Sequence, residues 1–355
     1  MFLHGIFPPI TTPFYPDGNV YHKKLEANVE RYSRTPSAGI VVQGSTGEAI
    51  LLSDQERRDV LKTAIAAAAP NKVMIAGTGI ESASETLHLT EYAAELGYDA
   101  AMVRTPHYYK KQMLPANILA FYRTVADRSP LPIVIYNFPQ ATGYDTPSEI
   151  IIELADHPNI IGIKESSGNL EKVKKIVDGT RHIKRAATVT ETFDAVTPRM
   201  LKAAATDASN GGHLVSVEAL SGATKPSSAA VTVVGKLKTR QKEVGFQVMV
   251  GAAHQLEPSL ALGAVGAILA FACPAPMACY EIYAALKEGD TELAREKQER
   301  VKLAAQRVVS DLGVPGVKYA MDLNGYYGGT SRVPFLPLTS DLKAEIDRLM
   351  AGIKS

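Results

Sequence analysis

Several features that mark specialised classes of protein are missing from this sequence of 355 residues. It has only two cysteines, Cys273 and Cys279, which is too few for a disulfide scaffold, and we expect both to be reduced packing residues. The 38 basic and 37 acidic residues nearly cancel, and no basic run with interleaved aromatic residues indicates nucleic-acid binding. No uncharged apolar run reaches the ~18 residues of a membrane span.

Two further absences concern targeting and chemistry. The first five residues lack the basic and apolar regions of a signal peptide, so we expect a cytoplasmic protein. The eight histidines show no metal-ligand spacing, and no Ser-His-Asp arrangement is visible, so we expect neither a metal nor a cofactor. What remains is an ordinary composition for a globular enzyme, with 46% hydrophobic residues.

Eight short apolar runs, rich in β-branched residues, recur along the chain and predict strands covered on both faces, as in a parallel sheet. The first six begin about 30 residues apart, the length of one βαβ step. Capping signals such as the Ser53-to-Glu56 box begin the segments between them. Eight such units predict a (β/α)8 barrel rather than an open sheet. The runs are 5–10, 39–43, 72–76, 100–104, 132–136, 160–164, 246–250 and 265–271.

The spacing breaks after the sixth strand, where a helix over about 170–179 is followed by about 60 extra residues. Alternating runs at 187–192, 214–217 and 231–234 and a helix near 195–205 predict a small, mainly β insert at 181–244. A helix-to-strand connection opens at the N-terminal face of a barrel, away from the chemistry. We therefore predict a barrel over 1–290 with this insert, and a C-terminal helical layer over 291–355. Its helices lie near 291–310, 315–323 and 341–351, and one of them would cover the barrel.

Lys164 ends the sixth strand, where a side chain points into the mouth of the barrel. Burial disfavours the charged ammonium, and a neutral amine is a nucleophile toward carbonyl carbon. A surface lysine or an ion pair with Glu165 is the alternative, and the residues alone leave the two even. Tyr136 ends the fifth strand and is placed to move protons there, or else is a core tyrosine with a backbone partner.

Two loops add polar groups to the same mouth. Gly-Ser-Thr-Gly-Glu at residues 44–48 follows the second strand, and its glycines, hydroxyls and exposed N–H groups suit a carboxylate. Thr-Pro-His-Tyr-Tyr at 105–109 follows the fourth strand and brings aromatic hydroxyls. A lysine in the mouth of a barrel that needs no cofactor indicates imine chemistry.

Together with Tyr-Asn-Phe-Pro at 136–139 and Gly-Ile-Lys-Glu-Ser at 162–166, these motifs resemble the dihydrodipicolinate synthase/N-acetylneuraminate lyase family of class I aldolases. They occur in the family's order, and the resemblance covers nearly the whole chain except the insert. It implies a pyruvate or 2-oxo acid substrate and a homo-oligomer, a dimer or tetramer. It also implies roles for named residues: Lys164 as the Schiff-base lysine, Tyr136 and Thr46 in proton transfer, Tyr108 in a neighbouring subunit's relay, and Ser45, Thr46, Gly47, Ser166, Gly251 and Ile268 in substrate binding.

One departure bears on the substrate. Dihydrodipicolinate synthases carry an arginine two residues after the proline of the Tyr-Asn-x-Pro segment, whereas this chain has Ala141. A charge-assisted contact is worth ~1.5–3 kcal/mol, so its loss predicts poor use of aspartate semialdehyde. Ser166 and the C-terminal stretches 313–316 and 322–329 resemble 4-hydroxy-2-oxoglutarate aldolases instead. The sequence therefore predicts that type of aldolase, with dihydrodipicolinate synthase and a non-catalytic keto-acid-binding barrel as alternatives.

Overall fold

The chain forms a ring of eight parallel strands, in a computed structural model that describes residues 1–209, 232–234 and 237–353. Hydrogen bonds at the two ends of the strand order close it, from the Ala38 N–H to Ile6 O at 2.9 Å and from the Val41 N–H to Pro8 O at 3.0 Å. The prediction of a (β/α)8 barrel is confirmed. The barrel strands are β1 (Gly5–Phe7), β2 (Gly39–Val42), β3 (Val73–Gly77), β4 (Ala100–Arg104), β5 (Ile133–Asn137), β6 (Ile160–Glu165), β10 (Gln247–Val250) and β11 (Gly266–Ile268).

Alternate residues of each strand face two different cores. One set fills the inside of the barrel, with Phe7, Met102 and Met249 among its members. The other set packs against the surrounding helices, as Ile40 and Val103 do. Burial on both faces explains why the strands appear in the sequence as continuous apolar runs.

Helices follow most of the strands and begin where the capping signals indicate. The Ser53 hydroxyl accepts from the Glu56 N–H at 3.2 Å while the Glu56 carboxylate accepts from the Ser53 N–H at 2.9 Å. No helix among the described residues is both long enough and apolar enough to cross a bilayer. The helices before the insert are α1 (His22–Ser33), α2 (Asp54–Ala67), α3 (Ala83–Leu96), α4 (Pro115–Arg128), α5 (Pro139–Thr142), α6 (Ser148–Ala155) and α7 (Leu170–Gly179).

Between α7 and β10 the chain forms a separate antiparallel sheet and a helix. The strands are β7 (Arg185–Thr190), β8 (Thr232–Val234) and β9 (Leu237–Val244), in the order β7-β9-β8, and α8 is Pro198–Ser209. The predicted run at 214–217 lies outside the described residues. The Thr197 hydroxyl donates to Pro70 O at 2.6 Å, just before β3, so this part of the chain lies at the N-terminal ends of the barrel strands.

The C-terminal region contains more helices than a barrel needs. They are α9 (Leu256–Ala261), α10 (Pro276–Lys287), α11 (Thr291–Ala305), α12 (Gly313–Leu323) and α13 (Ser340–Met350). The helix that follows β11 and packs on β1 is α10, which precedes the three later helices, and the expectation that one of those covers the barrel stays a prediction. A π-helical turn, Gln306–Asp311, continues α11 and separates it from α12.

Candidate active site

The ends of three neighbouring strands bring polar side chains to one level inside the barrel. Arg104 of β4 is in register with Tyr136 of β5, and Tyr136 is in register with Lys164 of β6. All three line a cavity of about 640 Å³ at the C-terminal ends of the strands. This is the face on which (β/α)8 enzymes place their active sites.

Lys164 is buried rather than at the surface, with 5% of its area exposed. Its Nζ lies 4.1 Å from the centroid of the Tyr136 ring. The carboxylate of Glu165 is engaged elsewhere, by Asn137 Nδ2 at 2.9 Å and by Lys172 Nζ at 3.5 Å. The two alternatives that the sequence left open for this lysine therefore find no support in the geometry, and its amine faces the cavity.

The Tyr136 hydroxyl contacts a side chain of the glycine-rich loop. It lies 3.2 Å from the Ser45 Oγ, and either oxygen can donate. Residues 45–47 form a single 3₁₀ turn in which Thr46 and Gly47 are buried. The first N–H groups of a helical turn have no partner within it, which leaves those of Ser45 and Thr46 suited to an anion. Gly47 ends the turn on the side away from the cavity, where its carbonyl accepts from the Thr12 hydroxyl at 2.7 Å.

A buried ion pair supports this loop from behind, and the sequence did not reveal it. Glu48 adopts a left-handed conformation (φ 53°), and its carboxylate lies 2.6 Å from Lys318 Nζ of α12. Lys318 is 1% exposed and also donates to Thr12 O at 2.9 Å and Thr330 O at 2.7 Å. The second Glu48 oxygen accepts from the Arg332 N–H at 2.8 Å. The C-terminal layer thus fixes the position of the loop.

Three other predicted residues lie on the β6–β10–β11 side of the cavity. The Ser166 Oγ is buried and has no hydrogen-bond partner among the described residues, and Ser166 is one of the residues that line the cavity. A Cβ on Gly251 would lie 1.9 Å from that oxygen, so only glycine allows this approach. Ile268 is fully buried and forms part of the floor.

Tyr108 is not brought to the cavity of its own chain. It is 75% exposed and stacks edge-on against Tyr109. Its backbone N–H donates to Glu81 Oε2 at 3.0 Å, which anchors the loop while the ring points outward. The structure therefore assembles every other predicted site residue, with Gly47 behind the rest, and leaves Tyr108 on the surface.

The sequence also missed one wall of the cavity. The π-helical turn contributes Gln306, Val309 and Ser310, and the segment after α12 contributes Pro334 and Phe335. A π turn occurs often at functional sites, but no residue pattern in the sequence predicts it. This wall has only uncharged side chains.

The cysteines and metal-ligating residues point to no redox or metal centre in the described part of the chain. Cys273 and Cys279 are free and buried, and burial raises the pKa of the Cys279 thiol to about 12. The Cys273 thiol donates to Pro9 O at 3.1 Å. Among the described residues no three His, Cys, Asp or Glu side chains form a metal-binding group.

A (β/α)8 barrel with a buried lysine facing its C-terminal cavity is the architecture of a class I aldolase. Comparison with known proteins gives the family: residues 2–212 and 210–352 match the model of the dihydrodipicolinate synthetase family, and the chain belongs to it. It is therefore a lyase of the pyruvate-dependent, lysine Schiff-base class, and it acts on a small molecule.

Curated relatives and solved structures agree with this assignment. A 4-hydroxy-tetrahydrodipicolinate synthase of Methanothrix thermoacetophila is 28% identical over 96% of this chain and 94% of its own length. One of Methanosarcina barkeri is 40% identical over 50% of this chain and 59% of its own length. The pyruvate complex of the Acinetobacter baumannii dihydrodipicolinate synthase superposes with a TM-score of 0.77 at 27% identity, covering 99% of this chain and 100% of that one.

Proposed function

We propose that this protein is a 4-hydroxy-2-oxoglutarate-type aldolase, in which Lys164 forms the Schiff base. The observation that carries the proposal is the contact series in the cavity. The Lys164 Nζ lies 4.1 Å from the Tyr136 ring centroid, and the Tyr136 hydroxyl lies 3.2 Å from the Ser45 Oγ. A nucleophile and a proton-transfer group are thus adjacent in a buried site, as covalent catalysis requires.

The chemistry follows from these positions. The neutral Lys164 amine adds to the C2 carbonyl of the 2-oxo acid, and Tyr136 moves protons so that water leaves and an imine forms. The imine withdraws electrons from the C3–C4 bond, which breaks as the C4 hydroxyl gives up its proton. The aldehyde departs, C3 of the resulting enamine takes a proton, and hydrolysis releases pyruvate and free Lys164.

Binding groups surround the reacting atoms. The N–H groups and hydroxyls of Ser45 and Thr46 hold the carboxylate next to the ketone, since the 3₁₀ turn presents them to the cavity. The unpartnered Ser166 hydroxyl, the fixed Gly251 and the Ile268 floor hold the rest of the substrate near Lys164. Tyr108 acts in the relay of a neighbouring subunit, which makes the enzyme a homo-oligomer. We also propose a cytoplasmic location, which free thiols suit.

The choice of aldehyde rests on the charges that line the cavity. Ala141 lines it where a dihydrodipicolinate synthase has arginine. The one carboxylate among the described lining residues is Glu48, which Lys318 engages at 2.6 Å. The ammonium of aspartate semialdehyde therefore finds no free acidic partner there. Glyoxylate, the aldehyde that leaves 4-hydroxy-2-oxoglutarate on cleavage, has no ammonium and needs no such partner. The names of the curated relatives favour 4-hydroxy-tetrahydrodipicolinate synthase as the second candidate.

Two assays test the proposal. Borohydride reduction with pyruvate should add a three-carbon mass to Lys164, and Lys164→Ala should abolish it. Lys72→Met, at another buried lysine whose Nζ donates to the Thr35 and Ser37 carbonyls, is the matched control and should keep the adduct. Cleavage of 4-hydroxy-2-oxoglutarate should exceed condensation of pyruvate with aspartate semialdehyde. The absence of an adduct would refute the lysine assignment, and faster condensation would refute the choice of aldehyde.

A further inference from the structure

The described residues that line the cavity include few cationic groups, and only one of them has a role in the proposed reaction. Of its described lining residues only Lys164 and Arg104 are lysine or arginine, and Lys164 is committed to the ketone. The wall of the C-terminal layer is uncharged, and Glu48 is held by Lys318. Among the described lining residues Arg104 is therefore the permanent cation that remains to bind a second negative charge on the substrate.

Arg104 points inward for a reason that its strand provides. Met102, two residues earlier on β4, fills the inside of the barrel, and side chains two apart on a strand face the same way. The Arg104 side chain is 18% exposed. A Cβ on Gly79 would lie 2.4 Å from the Arg104 backbone nitrogen and 3.0 Å from its Cγ, so the loop after β3 is fitted around its stem.

The guanidinium is only weakly engaged by the protein. Its Nη1 lies 3.5 Å from Glu81 Oε1 and 3.4 Å from His107 Nδ1, and these are its side-chain contacts among the described residues. Glu81 is held more closely by the His107 and Tyr108 N–H groups, at 2.8 and 3.0 Å. A guanidinium has five N–H donors, and its strongest partner is a carboxylate bound by two of them. Burial lowers the pKa of Arg104, so this cation is partly stripped of water and gains from an anionic partner.

We propose that Arg104 binds the second carboxylate of the substrate, so that the site selects short dianionic 2-oxo acids over monoanionic ones of equal length. The inference rests on the proposed function, because it assumes that Lys164 holds C2 and the Ser45 turn holds the first carboxylate. β4 and β6 are two strand spacings apart, about 10 Å between backbones, and both side chains extend into the gap. A five-carbon 2-oxo acid then spans the gap between Lys164 and Arg104, with its first carboxylate at the Ser45 turn and its second at Arg104.

The test uses two five-carbon 2-oxo acids that differ only at C5. 2-Oxoglutarate carries a carboxylate there and 2-oxopentanoate a methyl group. The concentration that gives half-maximal borohydride trapping on Lys164 is measured for each acid and for pyruvate. Arg104→Met should raise it about 10- to 100-fold for 2-oxoglutarate, and by less than about twofold for the other two. For Arg104→Lys the concentration for 2-oxoglutarate should lie between the wild-type and Arg104→Met values, because lysine keeps the charge but lacks the paired N–H donors of the guanidinium.

Arg199→Met is the matched control. Arg199 has the same 18% side-chain exposure but lies at the N-terminal end of the barrel, 3.6 Å from Asp99, so the ratio between the two acids should not change. An Arg104→Met protein that loses trapping of all three acids equally, or that keeps the wild-type ratio, would overturn the inference. Trapping needs no turnover, so a wild-type enzyme that traps 2-oxoglutarate through Arg104 but does not cleave the 4-hydroxy acid would refute the proposed function alone.

Discussion

The two ends of the barrel differ in what fills them. At the C-terminal end Lys164, Tyr136 and Ser166 face a cavity, and the Ser166 hydroxyl has no partner among the described residues. At the N-terminal end α8 and the sheet β7-β9-β8 occupy the space instead. There the Thr197 hydroxyl donates to Pro70 O at 2.6 Å and Arg199 binds the Lys72 carbonyl.

An apolar contact completes that second end. Phe2 packs with Ala187, Val189 and Val244, all of them buried. The chain's own elements thus fill that end, although Asp99 Oδ1 and Arg199 Nε have no hydrogen-bond partner among the described residues, whereas the other end opens as a cavity. We infer that the chemistry belongs to one end and that α8 and the sheet β7-β9-β8 stabilise the other, and substitutions at each end test this division.

The largest effect is expected from the Tyr136 hydroxyl. Tyr136→Phe keeps the ring beside Lys164 but loses the contact with Ser45, so kcat should fall about 10²- to 10⁴-fold, as for a lost general acid–base group. Steady-state cleavage and the rate of Schiff-base formation measure it. Tyr98→Phe is the control, because that hydroxyl is buried and donates to Leu61 O at 2.9 Å, and Tyr98 does not line the cavity. Equal activity losses in both variants would contradict a catalytic role for Tyr136.

One buried ion pair at each end can be broken, and we expect only the change at the C-terminal end to affect catalysis as well as stability. Lys318→Met leaves Glu48 buried and uncompensated, so the free energy of unfolding should fall by about 3–5 kcal/mol, and KM for the 2-oxo acid should rise as the loop shifts. The double variant Glu48→Gln with Lys318→Met should recover part of that stability.

Arg199→Met is the corresponding change at the N-terminal end. Arg199 lies 3.6 Å from Asp99, whose pKa burial already raises to about 6, so this carboxyl accepts a proton readily once its partner is gone. The expected loss is about 1–2 kcal/mol in urea unfolding, with kcat/KM unchanged. A larger loss of kcat/KM for Arg199→Met than for Lys318→Met would contradict the inference that only the C-terminal end takes part in the chemistry.

The sequence predicted the parts of the site that local pattern determines. Lys164 and Tyr136 end apolar runs, and a strand end in a barrel fixes where such a side chain points. Arg104 ends a strand in the same way, yet without the register across β4, β5 and β6 nothing distinguished it from an ordinary polar boundary.

Groups from distant parts of the chain were not predictable. The Glu56–Arg332 contact joins residues 276 positions apart, and only the folded chain brings them together. The strand β9 was also missed, because its sequence is largely charged and only one of its faces is covered. Its pairing with β7 identifies it, and pairing is not a local property.

The smallest expected effect concerns the segment that joins the C-terminal layer to α2. Arg332 Nη1 lies 2.8 Å from Glu56, and hydrogen bonds from this arginine lower the pKa of Glu56 from 4.5 to about 2. Because the folded-state pKa is depressed, the stabilisation is complete above pH 4.5 and is lost as the pH falls toward 2. The pair is partly exposed, so its contribution is at most about 1 kcal/mol.

Glu56→Gln isolates this contribution, because glutamine still accepts from the Ser53 N–H that begins α2. The difference in unfolding free energy between wild type and variant should be present at pH 7 and should shrink to nothing as the pH approaches 2. Glu149→Gln, at an exposed partner of Lys175, should show a smaller difference over the same range. A difference for Glu56→Gln that does not change with pH would mean that the ion pair with Arg332 does not stabilise this junction, and that its uncharged contacts hold the C-terminal layer against the catalytic end.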